Sequence, residues 1–125
     1  MKKFCILITL LFSITTYSQT VMNNTYLDVP LNQVNDFLEL HKKVVDMSDG
    51  EQRTIDNHWV YRHWYGNDHS IMLGDLYSSA EAAVNDDFWG ALRNNIDQLP
   101  ENEKKEMQDI VAKWWGYWNN HTDEM

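Results

Sequence analysis

Cysteine is almost missing from this chain. Cys5 is the only one, and it lies within an apolar run at the N-terminus. Beyond that run, disulfides, thiol catalysis and zinc–thiolate sites are excluded outright. Proline is equally scarce, at two residues, and glycine numbers five, so neither linkers nor low-complexity tracts are expected. Basic residues are few: ten Lys and Arg face nineteen Asp and Glu, giving a formal charge of −9. Such a surface repels polyphosphate and anionic lipid, and no Lys/Arg cluster offsets it, so nucleic-acid binding is excluded. No apolar run reaches the roughly 20 residues that a membrane-spanning helix needs.

What the chain does have begins with a leader. Lys2 and Lys3 precede the apolar stretch from Phe4 to Phe12, and residues 13–18 then turn polar. Thr16 and Ser18 are small enough for the −3 and −1 positions of a signal-peptidase site, which predicts cleavage after Ser18. The segment resembles bacterial export signals in which a Gln follows the cut, as Gln19 does here. Residues 1–18 are thus expected to be a signal peptide, and residues 19–125 a single periplasmic or secreted domain with no membrane attachment. Removing 18 of 125 residues leaves 107, and because the leader holds two lysines and no acid the charge of −9 becomes −11. A core of that size is modest, but all six tryptophans lie in the mature part.

Residues 25–29 alternate as a short strand, and Pro30 opens a helix whose apolar stripe runs through Val34, Phe37, Leu38, His41, Val44, Val45 and Ser48. Asp49-Gly50 stops it. Residues 54–65 and 70–77, both rich in β-branched and aromatic side chains, flank Gly66-Asn67-Asp68 and read as an antiparallel hairpin. Ser78 and Glu81 have capping-box spacing. One helix is predicted from there to Leu99, with Ala80, Val84, Phe88, Leu92 and Ile96 on its apolar face. Pro100 ends it. A last helix carries Met107, Ile110, Val111, Trp114 and Trp118 as a stripe. The order β-α-β-β-α-α predicts an α+β domain of the ferredoxin-like split βαβ type, an antiparallel sheet with helices on one face. Nothing after Trp118 alternates. The fourth strand is therefore expected to be absent, or truncated with its continuation past Met125.

The first hairpin strand sets Trp59, Tyr61, His63 and Tyr65 on one face, and His58, Val60, Arg62 and Trp64 on the other. Each large ring buries on the order of 150–250 Å², and helices cover only one side of the sheet. The other side calls for a partner, and a second copy is the simplest, so a homodimer is expected. Trp59, Tyr61, Arg62, His63 and Tyr65 form the candidate pocket for a small hydrophobic or aromatic ligand. His58 and His63 point to opposite faces and cannot share an ion, so no metal site is read. His41 is placed at the border of the core and His121 in a solvated tail. Asp86-Asp87 is read as a solvated edge, and Trp115 with Tyr117 as rings that cover the dimer partner or, alternatively, form an exposed patch able to stack on sugar rings.

Tyr26-Leu27-Asp28-Val29-Pro30, the Phe37-Leu38-Glu39-Leu40 helix, Trp59-Val60-Tyr61-Arg62 with Tyr65-Gly66, and the corner Leu76-Tyr77-Ser78-Ser79-Ala80-Glu81-Ala82 together resemble the dimeric α/β-barrel superfamily. That superfamily includes NIPSNAP-like and antibiotic-biosynthesis-monooxygenase-like proteins, and the resemblance covers roughly residues 25–99. The resemblance implies two sheets packed face to face across a dimer axis and a pocket between sheet and helices. It does not imply one activity. Its haem-degrading branch places a His on the helix after the hairpin, and residues 79–99 contain none, so no cofactor is implied. The reading that follows is a non-catalytic binding or structural module with an aromatic pocket. The alternative is a cofactor-independent monooxygenase- or isomerase-like enzyme acting on a flat hydrophobic substrate.

Overall fold

The computed structural model describes residues 19–62 and 69–125. Strand β1 is Val21–Leu27, helix α1 Val34–Met47, and strands β2 and β3 are Asn57–Arg62 and Ile71–Tyr77. Helices α2 (Ala80–Asn85), α3 (Phe88–Asp97) and α4 (Glu101–Trp115) follow, and strand β4 (His121–Glu124) closes the chain. The sheet order is β2-β3-β1-β4, every pair antiparallel. This is the ferredoxin-like arrangement, with the helices packed on one face.

Strand β1 starts at Val21, four residues before the alternating stretch suggests. Both its edges are paired, Val21–Leu27 against Tyr77–Ile71 and Asn24–Leu27 against Glu124–His121. The ladder with β3, joined by β4 from Asn24 onward, outweighs the low strand preference of Asn23 and Asn24. Strand β4 is the main addition to the sequence reading. A 3-10 turn over Gly116–Asn120 reverses the chain, and four residues then fill the free edge of β1. His121-Thr122-Asp123-Glu124 is exposed throughout, so hydrophobic alternation could not have marked it. Backbone pairing alone makes it a strand.

Helix α1 buries Val34, Phe37, His41 and Val44, with Ser48 at its end, and leaves Leu38 and Val45 of the expected stripe half-buried at its border. These side chains meet Leu27, Val29, Ile71 and Leu73 from the sheet, Leu92 and Ile96 from α3, and Met107 and Trp114 from α4. Ser70 ties the end of β1 to β3: its hydroxyl accepts from Val29 N and donates to Val29 O, both at 2.7 Å.

The single helix expected over residues 79–99 is two helices. Its cap is Ser79, one residue later than the sequence suggests, accepting from Ala82 N at 3.0 Å. The break falls at Asp86, whose ψ of 116° is extended, and Asp87 then caps α3 by accepting from Gly90 N at 2.8 Å. The break leaves Val84 83% exposed instead of on a core face. Its cause is an ion pair. Asp86 accepts from Arg53 Nε at 2.9 Å and from Thr54 N at 2.8 Å, with the Tyr77 hydroxyl at 3.4 Å, and the Arg53 and Asp86 side chains are only 11% and 7% exposed. Asp86 is therefore an internal anchor, not the solvated edge that the sequence suggested. Asp87 is the exposed member of the pair.

Removing a buried partner strands the remaining charge, whereas losing a surface cap costs one hydrogen bond. Asp86→Ala should lower unfolding free energy by about 3–5 kcal/mol, and Asp87→Ala by about 1 kcal/mol. Urea denaturation of both variants decides it, and equal losses would contradict the assignment.

Candidate ligand cavity

Inward-facing positions on the sheet are apolar at one end and polar at the other. Leu27, Ile71 and Leu73 support the core, whereas Asn23, Thr25, His58, Asp75 and Asp123 follow on the same face. Above this polar end the helices stand off. The result is a partly open cavity of about 680 Å³, within the range of small-molecule sites. Phe88 and Trp89 from α3, Trp114 and Trp115 from α4, and Trp118 from the following turn form its upper wall.

The rings brace one another at crossed angles. Trp89 meets Trp115 edge-on, with centroids 5.2 Å apart and planes at 79°. Trp114 meets Trp118 at 4.9 Å and 66°, and Trp115 lies nearly parallel to Trp118 at 5.9 Å and 19°. Trp89 and Trp115 remain 43% and 49% exposed, so their faces are accessible. Tyr117 packs edge-on to Phe37 instead. It forms no platform with Trp115, so the alternative of a sugar-stacking pair is not supported.

The floor carries a chain of hydrogen bonds whose proton positions can be deduced. Trp114 Nε1 lies 3.1 Å from His41 Nδ1, and an indole N–H can only donate. His41 Nδ1 therefore accepts, and the proton of the neutral ring is on Nε2. That nitrogen is 2.8 Å from His58 Nε2, which must accept in turn. The remaining proton of His58 is then on Nδ1, donated to Asp75 Oδ1 at 2.5 Å. Both imidazoles are neutral and all four of their nitrogens are committed. A metal-binding His normally donates through the ring nitrogen that does not hold the ion. His41 accepts there, so its Nε2 is a proton donor and not a metal ligand.

His41 is 4% exposed, and burial, reinforced by neighbouring His58, pulls its pKa from 6.5 down to about 3. Burial likewise pushes the Tyr77 phenol upward, helped by Asp75 and Asp86, so it stays a donor to Asp86. At the far rim the Thr25 hydroxyl donates to Asp123 Oδ1 at 2.6 Å. His121 donates from Nδ1 to Trp118 O at 2.6 Å, and its Nε2 stands 3.5 Å from Asp123. Trp118 Nε1 is buried with no partner among the described residues.

The residues singled out from the sequence fall elsewhere. Trp59 and Tyr61 are on the sheet face away from the helices, where Trp59 lies against Gly74, so neither lines the cavity. Arg62 is on the helix side at the far end of β2, and its Nη1 donates to Asn35 at 3.2 Å. His63 and Tyr65 lie outside the described residues. Sequence reasoning placed His41, Trp114 and Trp118 in or beside the core. It assigned no role to Arg53. The available signal was the inward alternation of Asn23, Asp75 and His58, polar groups where a core face should be apolar.

No protein-family model matches the chain, and no curated protein sequence matches it. Solved structures with a similar chain path include a conserved protein from Methanosarcina mazei (TM-score 0.48, 10% identity, covering 84% of this chain and 88% of that one). Another is SnoaB, a cofactor-independent oxygenase from Streptomyces nogalater (TM-score 0.43, 10% identity, 84% and 87%). A third is a conserved protein of unknown function from Bacteroides thetaiotaomicron described as a possible oxidoreductase (TM-score 0.47, 10% identity, 86% and 95%). Likenesses this distant say nothing of activity, and the fold assignment rests on the chain's own topology. Among the described residues no helix is long and apolar enough to cross a membrane.

A His whose pKa is lowered in the fold binds its proton more readily once unfolded. His41 thus contributes stability fully above pH 6.5, lost progressively as pH falls toward 3. Between pH 7 and pH 5 the loss should be about 2 kcal/mol. Urea unfolding at both pH values should show the wild type losing about that much more than His41→Asn, and parallel losses would refute the buried neutral imidazole.

Proposed function

We propose that this chain is an exported binding domain whose cavity holds a flat, ring-bearing small molecule without transforming it. The supporting observation is the cavity of about 680 Å³ with five aromatic rings on one wall and a floor in which His41 and His58 have every ring nitrogen engaged. Exposed indole faces supply stacking area. A general base needs a nitrogen free to take a substrate proton; His58 Nε2 already accepts from His41, and the Nε2 of His121, the third imidazole of the lining, faces the Asp123 carboxylate at 3.5 Å. Binding is therefore favoured over the oxygenase or isomerase alternative. The leader-like sequence of residues 1–18, outside the described residues, supports the export part of this reading.

We further propose that the uncovered sheet face meets a second copy of the chain, in keeping with the resemblance to dimeric α/β-barrels. Met22 and Tyr61 are exposed there, with Tyr26, Trp59, Met72 and Leu76 half-buried beside them. Gly74 keeps the centre flat, because a Cβ would sit 3.2 Å from Met22 Cε and 3.3 Å from the Trp59 ring. A flat face of this kind suits sheet-on-sheet packing at about 10 Å.

Tryptophan fluorescence titrated with bicyclic and tricyclic aromatic compounds should reveal micromolar binding. Trp115→Ala should weaken it at least tenfold, and the compounds should be recovered unchanged. Silence across the panel would overturn the binding reading, while product formation with oxygen uptake would favour the enzyme. Sedimentation should give twice the monomer mass, reduced to one by Tyr61→Glu. A clean wild-type monomer at micromolar concentration would refute the dimer.

A further inference from the structure

The charge inventory of the cavity narrows what the site accepts. Five aspartates line it (Asp46, Asp49, Asp75, Asp86 and Asp123), and Arg53 is the one Lys or Arg among its described lining residues. Arg53 is committed to Asp86, and Lys42 reaches Asp46 from outside at 2.6 Å. Asp49, Asp75 and Asp123 face no Lys or Arg among the described ion pairs; the neighbour of Asp123 there is the His121 imidazole, 3.5 Å away. Asp75 carries a full negative charge in this arrangement. Its partner His58 is neutral, because His41 fills the nitrogen where a second proton would sit. A concave surface with apolar walls and one sign of charge concentrates ions of the other sign.

The walls point the same way. Ring faces attract cations through the aromatic quadrupole, and the attraction grows as water is excluded. The Trp89 and Trp115 planes stand at 79°, two sides of a corner open to the cavity. The protein already uses this arrangement once. The Arg53 guanidinium sits 5.0 Å over the Phe88 ring while Asp86 holds it from the side, a resident cation between ring and carboxylate in the wall of the same cavity.

We infer that the cavity is selective for organic cations, a quaternary or protonated amine on an apolar or aromatic body, with the charged head between the Trp89–Trp115 corner and the Asp75 and Asp123 carboxylates. This rests on the cavity being a ligand site. The rings provide the cage and the carboxylates the charge preference, so one cationic head satisfies both. An anionic aromatic of equal size meets the same rings and is repelled by the floor.

Benzyltrimethylammonium, its uncharged carbon isostere neopentylbenzene and anionic benzoate form a probe set, titrated against the full-length protein by tryptophan fluorescence at fixed ionic strength. The cation should bind at least tenfold more tightly than the isostere, and benzoate should not bind. Its affinity should fall with added salt, while that of the isostere should not. Asp75→Asn should remove most of the cation preference and leave the isostere unaffected. Asp123→Asn, at the more exposed rim, gives the same readout with little risk to folding, and circular dichroism confirms that each variant is folded. Equal affinity for cation and isostere, or a preference that survives both substitutions, would overturn the charge selectivity while sparing the ring-binding site. No binding by any probe would remove both.

Discussion

An indole N–H can give a hydrogen bond and never receive one, and a neutral imidazole has one nitrogen of each kind. From these two facts the polar interior is ordered without further choice. Trp114 on α4 donates to His41 on α1, His41 to His58 on β2, and His58 to Asp75 on β3. One chain of bonds thus spans two helices and two strands. An imidazole buried without partners would be costly, whereas here each of the four nitrogens is satisfied. The direction of donation also keeps the negative charge on Asp75 instead of sharing it with an imidazolium. Geometry fixed on the helix side determines the electrostatics of the sheet side.

The second anchor works by a different balance. Desolvating Arg53 and Asp86 is expensive, and the pair is tolerable only because further groups complete it. Thr54 N and the Tyr77 hydroxyl approach Asp86, and Ser48 Oγ accepts from Arg53 Nη1 at 2.7 Å. To reach this cluster Asp86 leaves helical geometry, and the chain is split into α2 and α3. The gain is positional. Starting α3 at Phe88 sets Phe88 and Trp89 over the sheet, where they meet Trp114 and Trp115. A continuous helix from Ser79 would carry these rings in another direction, and the cavity would lose part of its wall.

Much of the fold could be read from hydrophobic spacing. The α1 stripe, the two hairpin strands, the α4 stripe and the split βαβ order all follow from it. The misreadings share one cause, since each depends on a partner distant in sequence. Strand β4 has no apolar alternation and exists because the β1 edge is vacant. The break at Asp86 depends on Arg53, thirty-three residues away. Trp59 and Tyr61 drew attention because rings on a strand are conspicuous, yet periodicity assigns faces without saying which face will enclose a space. His58, on the opposite face, alternates with Val60 and Arg62 and carries no mark of its own in the sequence. Its importance depends on His41, which looked like an ordinary core position.

A cavity ringed by tryptophans ought to collapse, since close packing of those rings would bury more apolar surface. Two features oppose it. The floor consists of side chains that apolar rings cannot satisfy: moving Trp115 or Trp118 onto Asp75 and Asp123 would cost desolvation without offering either carboxylate a donor strong enough to replace water. The rings are also braced against each other edge to face, an arrangement with its own favourable quadrupole term. The hollow therefore persists because its two sides are chemically mismatched. A molecule that satisfies both at once, with a surface that rings accept and a charge that carboxylates accept, is the one for which closing the gap is favourable.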